Sequence, residues 1–551
     1  MEGNLTTLPV TEETIRKAEE TLLAYRAAKA PLEARLLENE QWYRLRHWST
    51  MRRNPGDPEP ASAWLLNCIA NKHADAMDNV PEPYVLPREE GDAPDAEALS
   101  AILPVVMELN EYEQVYSDVW WAKLKGGTGV TGVFWNPDGA DGLGDVDIRK
   151  VELLRLYWEP GVSRLQASRN VFHVESVPNE TLIDRWPFLR GRLNGSALTD
   201  SALPASAQTG ERSVVVDWYY KRRCGGRTVV HYAKFVCGNL LYASENDGRY
   251  RLRGYYDHGL YPFVFDTQFV EPDSPAGFGY IDVCKQPQMY IDRLNQVILK
   301  GALMAARPRF FIRSDGSINE QEYADWTRDF VHFQGGSSPQ ESIRQIDVRG
   351  PDAVLVRILE GKIEELKETS GNRDFSQGSA ASGVTAAGAI MALQDAGGKL
   401  SRDMLKSSYR AFTKVCELCV ELIRQFYDEP RCFRILGEAA SIRYIRYDNA
   451  RIRPRVEDGL YRRPAFDIKI RPQRSAPMVM SARNEMAREF YKMGFFDPAN
   501  AEQALGCLEM MEFEGKPQMI ELLRRRRNAM VPAAENKGLT LRAGSDAAGM
   551  V

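Results

Sequence analysis

"IDVCKQPQMYIDRLNQVILKGALMAA", residues 281–306, places Tyr290, Leu294, Val297, Ile298 and Leu299 at the spacing of a helix. Residues 307–350 follow as a compact mixed insert: a strand in "RPRFFIRS", a short helix in "INEQEYADWTRDF" and a strand in "IRQIDVR". A second helix is predicted from Pro351 to about Ser370, with Leu355, Leu359, Ile363 and Leu366 on one stripe and Gly371 where a left-handed C-terminal cap belongs. Two helices that flank one small insert predict an antiparallel pair with the insert at its tip.

The chain then runs into "GNRDFSQGSAASGVTAAGAIMALQDAGGKLSRD", residues 371–403, a polar small-residue loop that turns into an Ala- and Gly-rich helical pattern. Helix throughout 384–427 would be about 65 Å long at 1.5 Å per residue. The Gly397-Gly398 pair weakens it by roughly 2 kcal/mol against alanine and predicts a kink. Beyond the pair a seam runs through Met404, Ser408, Ala411, Val415, Leu418, Leu422 and Phe426. Strands return in "SIRYIRYDN" and "AFDIKIRP", and a helical block follows, with one helix ending at Gly494, another opening at Asp497-Pro498 and a third in "KPQMIELLRRRR".

Upstream, residues 12–48 read as two helices joined at Pro31, and "RRNPGDPEPAS" as a break. A helix from Ala63 to about Asn79, the extended "VPEPYVLPREEGDAPDA" and a helix over 96–125 come next. A strand-rich region begins at "VTGVFWNPDGADGLGDVDIRKV", with strand-like alternation about an Asp/Gly turn.

The 551 residues exceed one ordinary core. No apolar run approaches the roughly 18 residues of a membrane span, and the first residues lack a secretory pattern. A net charge of −5 argues against nucleic-acid binding through bulk positive charge. The eight cysteines are scattered, as suits free thiols. Cys416 and Cys419 form one CxxC with no second pair nearby, so core packing is expected rather than a metal site.

Motifs for catalysis are weak. "GTGVTG", Gly127–Gly132, matches a dinucleotide fingerprint literally, but helix precedes it and strand follows, the reverse of what pyrophosphate binding needs. "AGGKLSRD" lacks the spacing and the Ser/Thr of a phosphate loop. No nucleophile elbow or paired-histidine motif is present, and no cofactor or metal is expected. Two basic clusters stand out: Lys300, Arg307, Arg309 and Arg313, then Arg524 to Arg527. Each reads equally as a solvated face, a helix end matched to its dipole, or a nucleic-acid contact.

The order of parts resembles the portal proteins of tailed double-stranded-DNA bacteriophages, the podovirus-type family in particular. "GYIDVCKQPQMYIDRLNQVILKGALMAARPR" and "ETSGNRDFSQGSAASGVTAAGAIMALQDAGGKLSRD" carry the likeness, supported by "NKHADAMDNVPEPYVLP" and "AKLKGGTGVTGVFWNPD". The resemblance implies an α+β multi-domain portal fold and a ring, typically of twelve copies, at one capsid vertex. It divides the chain into a mixed α/β N-terminal wing (1–276), a first stem helix (277–306), a small α/β clip (307–350) and a second stem helix (351–370). A tunnel loop (371–383), the long kinked helix with the remaining wing strands (384–475), a helical crown (476–530) and a disordered tail (531–551) complete it.

Double-stranded DNA would pass through such a ring without sequence specificity. The terminase large subunit, a head-completion or tail adaptor protein, scaffold and major capsid protein would be the partners. The implied location is the virion, after assembly in the bacterial cytoplasm. In the tunnel loop Arg373 and Asp374 cancel, and Ser376, Gln377, Ser379 and Ser382 offer only weak, exchangeable hydrogen bonds. A lining of that kind would let a duplex slide, because each added cation around a ring tightens phosphate contacts. An enzyme with a scattered site, such as a nuclease or hydrolase, and a scaffold without a channel are the competing readings.

Overall fold

Thr11 opens the first helix. Its hydroxyl accepts from the Thr14 N–H and the Thr14 hydroxyl accepts from the Thr11 N–H, a capping box that starts α1 (Glu12–Tyr43). Pro31 lies inside this single helix, where two helices were expected. Ile15, Ala18, Leu22 and Tyr25 are buried before the proline, and Leu32, Leu36 and Trp42 continue against the core beyond it. An internal proline costs about 3 kcal/mol. Burying several large side chains beyond it, at about 1.5–3 kcal/mol each, outweighs that.

The computed structural model describes residues 10–51, 54–193, 211–306, 309–312, 319–325, 327, 332, 343–346, 350, 352–371, 399–436, 442–457, 460–474, 488–495, 501–510 and 519–524. After α1 come α2 (Trp64–Met77), β1 (Asn79–Pro87), α3 (Ala93–Leu109) and α4 (Tyr112–Gly126). The single helix expected over 96–125 is therefore two. Glu111 takes a left-handed conformation (φ 48°) between them, and the Asn110 amide bonds Val106 O, Val146 O and the Ile148 N–H. The two bonds to Val146 and Ile148 tie the junction to the free edge of β3.

The strands form two main antiparallel sheets. β2 (Thr128–Asn136) and β3 (Asp145–Lys150) make the hairpin expected around the Asp/Gly turn, and β9 (Phe263–Thr267) pairs the other side of β2. A five-stranded sheet runs in sequence order through β4 (Leu156–Trp158), β5 (Asn170–Pro178), β6 (Arg212–Cys224), β7 (Arg227–Val236) and β8 (Asn239–Ala243), with α5 (Asn179–Arg185) between β5 and β6. The glycines of GTGVTG serve packing. Gly127 turns the chain from α4 into β2 at φ 87°, and a Cβ there would lie 2.3 Å from the Phe278 backbone. At Gly129 a Cβ would meet Val119 O at 2.4 Å.

α6 (Tyr280–Ala306) leads to β10 (Arg309–Ile312), α7 (Glu320–Ala324) and β11 (Ile343–Ile346); β10 and β11 pair antiparallel. α8 (Ala353–Ser370) returns alongside α6 and ends at Gly371 in the expected left-handed cap, φ 69°. α9 (Lys399–Phe426) packs across both β2 and β9. Its predicted seam is on the core side: Met404, Ser408, Val415, Leu418 and Leu422 are buried, while Ala411 and Phe426 are partly buried against that core. Cys416 and Cys419 are fully buried in the same core, and burial pushes both thiols above their ordinary range. The short strands β12 (Arg431–Leu436), β13 (Ile442–Tyr447), β14 (Arg455–Glu457), β15 (Leu460–Arg462) and β16 (Phe466–Arg474) follow. β12 pairs β13, β14 pairs β15, and β16 pairs β1.

The chain divides into two compact units, Met1–Gln473 and Arg474–Val551. In the second, residues 488–492, Ala501–Met510 and 519–524 are helical. Phe490, Ala504, Leu505, Leu508 and Leu523 form its own small core. Among the described residues no helix is long and apolar enough to cross a membrane.

Candidate functional site

The antiparallel pair α6/α8 is fixed at one end and uncovered at the other. Near the middle of α6, Ile291 packs on Leu366 and Cys68, with Leu359 and Ile363 beside them, so the expected stripe of α8 faces α6. Toward the β10/β11 hairpin the apolar side chains lie in solvent. Tyr290, Val297 and Met304 recur every seven residues along α6 and are all exposed, with Leu303 51% exposed beside them. Val354 (60%), Val356 and Ile358 (46%) are exposed on α8. A seven-residue repeat of this kind suits helix-to-helix packing with another body.

A buried polar knot fixes the middle of α6. Asp292 is fully buried and accepts from the Ser62 N–H and hydroxyl at 2.9 and 2.5 Å and from the Gln288 amide at 2.9 Å. His47 Nε2 lies 3.0 Å from Asp292 Oδ2, the oxygen that accepts from Gln288, and Trp42 stacks on the His47 ring at 4.2 Å.

A second knot holds α9. Lys123 of α4 has no exposed side-chain surface, and its ammonium donates to Asp266 Oδ1 at 2.7 Å and to Ser408 Oγ at 2.8 Å. Ser408 donates in turn to Asp266 Oδ2.

One face of α2 gathers both borders of the segment between α8 and α9. Cys68 Sγ lies 3.2 Å from Ser370 Oγ, and Lys72 Nζ donates to Ser401 Oγ at 3.2 Å, four residues further along α2. Ser401 donates to Asp75 at 2.9 Å. Burial lowers the Lys72 pKa, opposed by Asp75.

Arg373, Asp374, Ser376, Gln377, Ser379, Ser382, Gly397 and Gly398 lie outside the described residues, as do Arg307 and Arg313. Arg309 begins β10. Lys300 is half-exposed and donates to Asp57 at 2.7 Å, which offsets the charge it would offer a polyanion; the same contact lowers the Asp57 pKa. Sequence reasoning did not find the two knots. Their one visible signal was charge on a face otherwise filled by core residues: Lys123 between Trp120 and Leu124, and Asp292 beside Ile291.

Compared with known families, the chain matches the phage P22-like portal protein over residues 73–251 and 227–540. No curated protein sequence matches the chain. The matched residues cover most of the chain, including both helices of the hairpin, α9 and the second unit as far as residue 540. That family is structural rather than enzymatic, a component of the virion capsid that self-associates and serves DNA packaging. The chain belongs to the phage P22-like portal protein family.

Proposed function

We propose that about twelve copies close into a ring at the capsid vertex, with α6 and α8 as its stem and residues 371–383 toward the axis. Double-stranded DNA passes through the ring during packaging and ejection. Residues 307–350 form the clip that meets the terminase large subunit and later the head-completion or tail adaptor. Residues 1–276 and 384–475 form the wing, and 476–530 a crown. Scaffold and major capsid protein surround the ring as it assembles in the host cytoplasm.

The uncovered apolar repeat on the stem carries this reading. A second copy packed on Tyr290, Val297, Met304 and Ile358 would remove those side chains from water, at about 25 cal/mol per Å². Arg373 and Asp374 cancel within the 371–383 loop, so a ring of such loops adds no net charge to the channel.

Leu303→Asp together with Ile358→Asp tests the ring. These exposed positions contribute little to the fold of one chain, so the variant is expected to stay folded and to sediment as a monomer, whereas the parent forms rings with a central hole in negative-stain images. A variant that still assembles refutes the stem as the subunit contact.

A further inference from the structure

We propose that a groove bounded by β9, β16 and α9 takes an extended acidic peptide segment of a partner protein, which adds as a strand to the outer edge of β9. The groove encloses about 860 Å³. Phe263, Val264 and Phe265, consecutive in β9, all line it. Side chains of a strand alternate between faces, so three consecutive lining residues mean that the strand's edge, not one face, looks into the groove. β9 is terminal in the order β3-β2-β9, and among the described residues no strand pairs its outer edge, where Ser407 Oγ reaches only the last carbonyl, Thr267 O, at 3.4 Å. Unpaired backbone donors and acceptors on such an edge are a template for a further strand.

The opposite side is apolar. Phe466 and Ile468 of β16 face the groove at the two-residue spacing of one strand face. Leu418 of α9 lines it between Lys414 and Glu421, on one helical face. An added strand would seat every second side chain on this surface and turn the alternate ones to the rim.

The rim selects the charge of those alternate residues. Five cations line the groove against two carboxylates, Glu417 and Glu421. Both carboxylates are already engaged: Glu417 accepts from Lys414 at 2.6 Å, and Glu421 from Arg424 at 2.9 Å and Arg463 at 2.6 Å. Arg88 is paired with Asp467 at 2.7 Å. Arg164 is exposed and makes no ion pair among the described residues. The surplus positive charge fits an occupant with carboxylates on its rim side, and an apolar-acidic alternation matches both walls at once. No element of the ring proposal is needed for this site.

The test uses a fluorescein-labelled heptapeptide of alternating valine and glutamate, with a valine–lysine peptide as control, titrated into the full chain at low salt and followed by anisotropy. Saturable binding of the acidic peptide alone is expected, about tenfold weaker in Arg164→Glu. Lys414→Glu on the other wall is expected to act in the same direction, and amides of residues 263–267 should exchange more slowly with peptide bound. Absence of binding, equal binding of the lysine peptide, or affinity unchanged in both charge reversals overturns the proposal. So does slow exchange at 263–267 in assembled rings but not in dissociated chains, without peptide, because the groove would then belong to a second copy of this chain.

Discussion

Replacing Lys123 with methionine isolates the knot that holds α9. The ammonium is fully enclosed, 2.7 Å from Asp266, whose side chain is 7% exposed. Its removal leaves a buried carboxylate with Ser408 as its remaining side-chain donor. Breaking a buried pair in this way costs about 3–5 kcal/mol. For a unit of this size the melting temperature should fall by roughly 3–5 °C. Amides of residues 404–412 should exchange faster, because Lys123 also bonds Met404 O and Ser408. Adding Asp266→Leu removes the stranded charge, and the double variant is expected to recover most of the loss, since apolar replacement of a whole buried pair is often neutral. Differential scanning fluorimetry and hydrogen exchange on the two single variants and the double complete the cycle. If Lys123→Met melts with the parent, or the double variant is the least stable of the set, the knot does not hold α9 as argued.

Three further outcomes are expected. Ser376→Lys with Ser379→Lys places two cations per copy in the loop proposed to line the channel; in vitro packaging should slow by tenfold or more at low salt and recover as salt rises, and an unchanged rate would remove that loop from the channel. Gly397→Ala with Gly398→Ala stiffens the segment by roughly 2 kcal/mol in favour of straight helix; packaged DNA per particle should fall, and full packaging would end the flexible-kink idea. Burial, aided by Arg463, lowers the His258 pKa to about 3, so the folded chain binds fewer protons there than the unfolded chain, whose histidine titrates near 6.5. Stability from this group is complete above pH 6.5 and is lost as pH falls toward 3, roughly 2 kcal/mol by pH 5. His258→Asn should flatten that part of a melting-temperature profile, and an unaltered acid slope would contradict the assignment.

Elements with a strong period were legible before any coordinates. The stripes of α6, α8 and α9 and the Gly371 cap are local properties of their segments, and each sits where the spacing put it. Boundaries that depend on distant partners were not. Pro31 reads locally as a break, yet side chains on both sides of it pack on the core. Asn110 reads as one more helical residue, yet its amide is taken by the backbone of β3. The functional surfaces divide in the same way. The apolar repeat of α6 can be counted along the sequence, but its exposure depends on what packs beside it. The groove is assembled from residues as far apart as Arg88 and Ile468 and left no local trace.

The paired contacts on α2 have a mechanical corollary. Cys68 and Lys72 stand one helical turn apart, so the chain departs beyond Ser370 and comes back before Ser401 at a single post. Any route between those points is a round trip, and its length is decoupled from the body that carries it. Doubling such a loop adds only about 0.6 kcal/mol of closure entropy. Residues inserted between 371 and 398 would therefore extend its reach while the frame behind it keeps its dimensions.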